Sequence, residues 1–306
     1  MSAWWSRNRQ RALQLAGTIL AVGLLIVLLK DDGWAEIVDS LKKIETADLL
    51  WVALLFLVSR IATVWRWHVL LRSGGIDMHI KDSMVLTFTG LFASNFLPTT
   101  IGGDVVRLAG AMQMGFDRAV CLASIAADRL IGMLGMSMTL PIGLVQSWSL
   151  FQVPVSFSLV AFIQRPLAFI KRTTSVFTIW LKKPTALLWS LFFTWIHMLC
   201  LFSSITIFVD DLGSHISFWM IAGLWSLTYF ITLIPISING YGLQELSFTF
   251  FMSNVAGLTP AVSLIVIVLL RAYSILASLP GAFFLPSILS AIAEQKKESA
   301  PTNILL

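Results

Sequence analysis

At 306 residues, 57% hydrophobic and only 12% charged, with a mean hydropathy of +0.85, the chain excludes an ordinary soluble fold. A soluble domain carries about a quarter charged residues to cover its core. The net charge of +5 does not point to nucleic acid, because the basic residues lie between hydrophobic segments, as in the positive-inside pattern of cytoplasmic loops.

Arg7, Arg9 and Arg11 precede an apolar run over 12–29. The run is longer than the apolar region of a signal peptide, and Lys30, Asp31 and Asp32 follow it without a small-residue cleavage site. It reads as a retained first span with its N-terminus in the cytoplasm. Over 31–48, Trp34, Ile37, Leu41 and Ile44 recur at helical spacing among Glu36, Asp39, Lys42, Lys43 and Glu45. That pattern predicts an amphipathic helix at the outer interface. A second span is predicted over 49–71, long enough to cross a bilayer, and it ends at Arg72-Ser73-Gly74-Gly75. Arg60 and Arg66 within it belong to the in-span charges that argue for a polar path, with the stronger alternative that, near a cytoplasmic helix end, they snorkel to the interface.

Over 83–115 the pattern changes. An apolar stretch reaches Asn95-Phe96-Leu97-Pro98, breaks at Gly102-Gly103 and resumes from Val105 to Met114. Each arm is short for a full span, which predicts a re-entrant hairpin or broken helix surrounded by protein or a wet cavity. Spans over 119–144 and 148–163 follow, the latter short and interrupted by Pro154. Residues 164–183 hold Arg165, Lys171, Arg172, Lys182 and Lys183 without an acid, the clearest cytoplasmic loop. The apolar set closes with 184–209, 216–234 (broken at Pro235), 243–255 and 261–279, before Pro280-Gly281.

These segments predict an all-α polytopic transmembrane bundle of about seven or eight helices that cross or enter the membrane. Residues 1–293 form one membrane domain and 294–306 a short polar tail. The expected setting is the cytoplasmic membrane of the cell. Cys121 and Cys200 lie in apolar stretches and read as small hydrophobes. The twelve tryptophans suggest interface belts.

One internal echo stands out. Phe96-Leu97-Pro98-Thr99-Thr100-Ile101-Gly102-Gly103 resembles Leu233-Ile234-Pro235-Ile236-Ser237-Ile238-Asn239-Gly240, and an acid follows each, Asp104 and Glu245. Paired, proline- and glycine-interrupted segments in two halves of a transporter point to the binding site and raise an internal inverted repeat.

Ionisable side chains inside a span cost about 2.5–3.5 kcal/mol each on insertion scales, so they face a cavity or a partner. At Gly102-Gly103-Asp104-Val105-Val106-Arg107 the glycines permit a tight turn into a helix whose exposed N–H groups favour an anion such as phosphate. Arg107 could complete that site. Alternatively Asp104 caps the helix and pairs with Arg107 at i,i+3. Asp128 and Arg129 point about 100° apart on one helix, so each needs a partner elsewhere. They read equally as a charge network bordering a lipid path and as structural glue. Glu245 falls in the first turn after Gly240-Tyr241-Gly242, with Arg271 as a candidate counter-charge, either for a headgroup or as a buried structural pair. Asn95 near Pro98 is expected to satisfy backbone groups freed by the break.

The run Ser94-Asn95-Phe96-Leu97-Pro98, then Gly102-Gly103-Asp104 and Arg107, resembles the signature of the lysylphosphatidylglycerol synthase transmembrane family, also called flippase-like. Asp128-Arg129 looks like its acidic-arginine pair. Pro235-Ile236-Ser237-Ile238-Asn239-Gly240-Tyr241-Gly242, with Glu245, resembles its second signature. The resemblance implies a lipid-handling membrane domain, which in the best-known members moves aminoacylated phosphatidylglycerol beside a soluble aminoacyl-transfer domain. No counterpart of that soluble domain is seen in these residues, so lysyl-lipid synthesis is not expected of them.

The four histidines (His68, His79, His197 and His215) are scattered, so no metal is expected, and no nucleotide-type glycine motif points to ATP. No cofactor is expected. The working expectation is a non-enzymatic protein that binds or flips an anionic or polyprenyl-type lipid. A membrane-embedded lipid or glycosyl transferase and a non-catalytic partner subunit are the alternatives. A membrane-protein partner and a homo-oligomer both remain open.

Overall fold

The computed structural model describes residues 42–97, 102–152, 180, 182–234, 237–288 and 290. The expected first span, most of the amphipathic segment, Pro98, Pro235, residues 153–163, most of the basic loop and the tail lie outside the described residues.

Among the described residues every regular element is helical. In chain order they are α1 (Thr46–Ser73), α2 (Ile80–Ser94), α3 (Gly102–Gln113), α4 (Arg118–Gln146), α5 (Pro184–Asp211), α6 (Phe218–Thr232), α7 (Leu243–Asn254) and α8 (Pro260–Ser278). Short 3-10 turns cover Trp148–Gln152, Ile238–Gly240 and Leu279–Phe283. Helices α1, α4 and α5, and α8 with the turn after it, are long and apolar enough to cross a membrane. At 1.5 Å per residue, the 28 residues of α1 reach about 42 Å, more than the hydrocarbon core requires.

Local chemistry sets several ends. The Asp117 carboxylate accepts the Val120 N–H at 2.9 Å and caps α4. Thr259 accepts the Val262 N–H at 3.2 Å, with Pro260 as the first residue of α8. Helix α6 is only 15 residues long and ends short of the predicted 216–234.

The bundle is apolar outside and carries hydroxyls inside. Trp51, Leu54 and Leu57 of α1 and Leu188, Trp189 and Phe192 of α5 are exposed, whereas Ser59, Thr63, Ser190, Thr194, Ser204 and Thr228 are buried. Lipid as solvent permits this inversion. Some buried hydroxyls donate within their own helices, Thr63 to the Ser59 carbonyl at 3.0 Å and Thr194 to that of Ser190 at 2.9 Å, whereas Ser190 reaches the Arg66 carbonyl of α1 at 3.2 Å.

Helix α1 packs on α5, α4 on α6, and α7 on α6 and α8, while α2 and α3 form a hairpin pair. The main apolar core joins Phe202, Ile205 and Phe208 of α5 to Ile221 of α6, Phe248 of α7 and Val266 of α8. A second core joins Trp67 and Leu71 of α1 to Leu86, Val106 and Ile125 of α2, α3 and α4. The α2–α3 approach is backbone to backbone. A Cβ at Gly103 would lie 2.2 Å from the Gly90 carbonyl oxygen and 2.2 Å from Ser94 Oγ, so only glycine fits.

Candidate functional site: two polar cavities along α1

The first broken segment leads into a chain of five charged side chains on three helices. Asp104 and Arg107 come from α3, Asp128 and Arg129 from α4, and Arg66 from α1. Arg66 Nε donates to Asp128 Oδ1 at 2.6 Å, and both terminal nitrogens of Arg107 reach Asp128 Oδ2 at 3.2 Å. Arg107 Nη2 also donates to Asp104 Oδ1 at 2.6 Å, and Arg129 Nε pairs with the other oxygen of Asp104. Arg107 lies 4.8 Å above the Trp67 ring.

Each carboxylate is thus shared between two arginines, and the buried guanidinium of Arg107 between two carboxylates. Among these five side chains, three cations stand against two anions. It borders a cavity of about 190 Å³ that Thr63, Thr87, Gly90, Ser94 and Gly103 also line. The adjacent pair Asp128-Arg129 does find its partners on other helices, as their angular separation requires. The i,i+3 pairing of Asp104 with Arg107 is also present. Helix α3 begins at Gly102, three residues before the expected start near Val105, so the two glycines belong to its first turn and do not form a turn ahead of it.

The second broken segment leads into α7 through left-handed backbone. Asn239 has φ 47°, and Gly240 and Gly242 have φ 74° and 77°, conformations that favour glycine. Glu245, in the first turn of α7, accepts the Gly242 N–H at 2.8 Å and pairs with Arg271 of α8. Arg271 also donates to Gln244 Oε1 at 2.7 Å and sits 4.2 Å from the Tyr241 ring centroid.

The two breaks meet. Tyr241 donates its hydroxyl to the Asn95 carbonyl at 3.3 Å, and Asn95 Nδ2 donates to Ser278 Oγ at 3.0 Å. The Asn95 side chain therefore ties α2 to the end of α8, and its carbonyl, not its amide, serves the neighbouring break. Asn95, Asn239, Gln244 and Arg271 line a larger cavity of about 260 Å³, bordered also by residues of α1, α4, α5 and α6.

The two arginines of α1 do not snorkel. Arg66 is held by Asp128, and Arg60 stands near the midpoint of α1, about 20 Å of helix from its C-terminal end, too far for its side chain to reach out. Arg60, Ser59 and His197 line the larger cavity, and Ser59 Oγ lies 2.7 Å from His197 Nδ1. Sequence reading passed over Gln244, His197 and Ser59. The signal that could have found Arg60 was its central place in a span, where a cation needs a polar environment.

Long apolar spans, two broken segments in contact and polar cavities walled by arginine define a multi-pass membrane protein with a charged interior. The sequence matches the lysylphosphatidylglycerol synthase TM region over residues 14–281, and the chain belongs to that family. It is a membrane lipid-related protein. No curated protein sequence matches it.

Proposed function

We propose that the protein binds an anionic or polyprenyl-type lipid by its headgroup and translocates it across the cytoplasmic membrane, with the N-terminus on the cytoplasmic side. The carrying observation is the pair of polar cavities that share α1 as a wall inside an otherwise apolar bundle. A headgroup crossing the bilayer needs a polar route, whereas its acyl chains need none, so they can stay in lipid beside an apolar outer surface. Arg66, Asp104, Arg107, Asp128 and Arg129 would border one part of that route. Asn95, Asn239, Gln244 and Arg271 would border the other, with Glu245 holding Arg271 in place.

Reconstitution into sealed vesicles with labelled anionic lipid tests this reading. Wild-type protein is expected to equilibrate the label between leaflets, and Arg107→Ala and Glu245→Ala to slow it at equal insertion. Variants that insert normally and retain full movement would remove those residues from the route. Product formation from labelled lipid and a donor would favour the transferase reading.

A further inference from the structure

We propose that the larger cavity is a phosphate-binding pocket centred on Arg60, its occupant the phosphate of a lipid headgroup. This rests on the lipid-handling reading above and names the chemistry that one of its cavities selects.

The first argument is charge. Arg60 and Arg271 line the cavity, and among the described residues no aspartate or glutamate does. Glu245 neutralises Arg271 from outside the lining. Among the described residues no carboxylate lies within ion-pair distance of Arg60. The nearest recorded stabilising contact is the face of Phe56, 5.9 Å from the guanidinium carbon. A cation at the middle of a membrane helix is costly and is kept there for a counter-charge.

Hydrogen bonding gives the second, independent argument. Arg60 Nε and Trp225 Nε1 are both buried donors without an acceptor, and both residues line this cavity. Buried donors are almost always satisfied, so two of them around one space call for an acceptor-rich occupant. A phosphate supplies several acceptor oxygens together with the missing negative charge, and guanidinium pairs with it through parallel bonds. Ser59 and His197, 2.7 Å apart, add polar atoms to the same wall.

Shape gives the third. Leu55, Met136, Leu201, Ile267 and Leu270 are also in the lining, so the cavity pairs a cationic, donor-rich part with apolar wall. That combination suits a phosphate carried on an apolar chain. The neighbouring cluster offers the opposite case, since Arg66 and Arg107 already hold carboxylates.

The test uses full-length protein, delipidated in detergent and followed by thermal unfolding and native mass spectrometry. The probes are phosphatidylglycerol, a polyprenyl phosphate, diacylglycerol and inorganic phosphate. Both phosphate lipids are expected to raise the unfolding temperature of the wild type, and diacylglycerol to leave it unchanged. Arg60→Gln is expected to weaken phosphate-lipid binding about tenfold or more, the worth of a charged hydrogen-bonded contact. Because it removes an unpaired buried charge, the empty variant should unfold at or above the wild-type temperature, which a structural arginine would not allow. Trp225→Phe, which keeps the ring, should lower affinity about threefold to tenfold by losing one donor, and it carries the test should Arg60→Gln fail to fold.

Undiminished lipid binding in both variants, or equal binding of diacylglycerol, would overturn the pocket. Saturation by inorganic phosphate without any competition from the lipids would assign the site to free phosphate and overturn the lipid source. If binding follows the expected pattern while wild-type vesicles move no labelled lipid, the pocket stands and the transport reading falls.

Discussion

The two cavities share α1 and treat its arginines in opposite ways. In the smaller one, Arg66 meets Asp128, and the chain continues through Arg107 and Asp104 to Arg129, so charge is matched side chain to side chain. In the larger one, Arg60 shares the lining with histidine, hydroxyl and amide groups and, among the described residues, no acid. A paired buried cation contributes to holding helices together, whereas an unpaired one destabilises the empty protein and gains by taking up an anion.

The broken segments repeat this contrast on a common plan. Asp104 is the third residue of α3 and Glu245 the third of α7, and each pairs with an arginine on the helix that follows, Arg129 and Arg271. The first half adds Arg107, Asp128 and Arg66 to this unit and becomes a network. The second keeps the single pair and opens onto the larger cavity.

The largest effect should come from the centre of the network. Asp128→Asn leaves Arg66 and Arg107 short of a counter-charge, and breaking a buried pair in this way costs about 3–5 kcal/mol. The expected readout is a lower unfolding temperature and less inserted protein; an unchanged temperature would remove the cohesive role. Gly103→Ala should cost about 1–3 kcal/mol, because a new Cβ meets the Gly90 carbonyl and Ser94 on the partner helix. Double-mutant cycles sharpen the comparison further. The Glu245–Arg271 pair, with side chains 8% and 16% exposed, should couple by about 1–3 kcal/mol. Arg129 is 35% exposed and less tightly enclosed, so its coupling with Asp104 should fall to about 0.5–1 kcal/mol. Equal couplings would mean that the two halves are built alike after all.

Much of the architecture was legible before any coordinates. Apolar runs over 49–71, 119–144, 184–209 and 261–279 fall within or close to α1, α4, α5 and α8, because a span must be both long and apolar. The break before Gly102 and the one before Leu243 were legible from proline and glycine, which punctuate any helix. The requirement that Asp128 and Arg129 find separate partners followed from helix geometry alone.

Other features depended on which helices meet. Six residues apart on one helix, Arg60 and Arg66 face different neighbours, and only the position of α4 gives Arg66 its carboxylate. The contact between Asn95 and Tyr241 joins residues 146 apart in the chain, a separation over which no periodicity carries information. The sequence by itself determined that this protein lives in lipid, where its helices break and which charges must be sheltered. The tertiary structure decided which of those charges meet an acid and which do not, because matching depends on distances between helices that the chain does not encode locally.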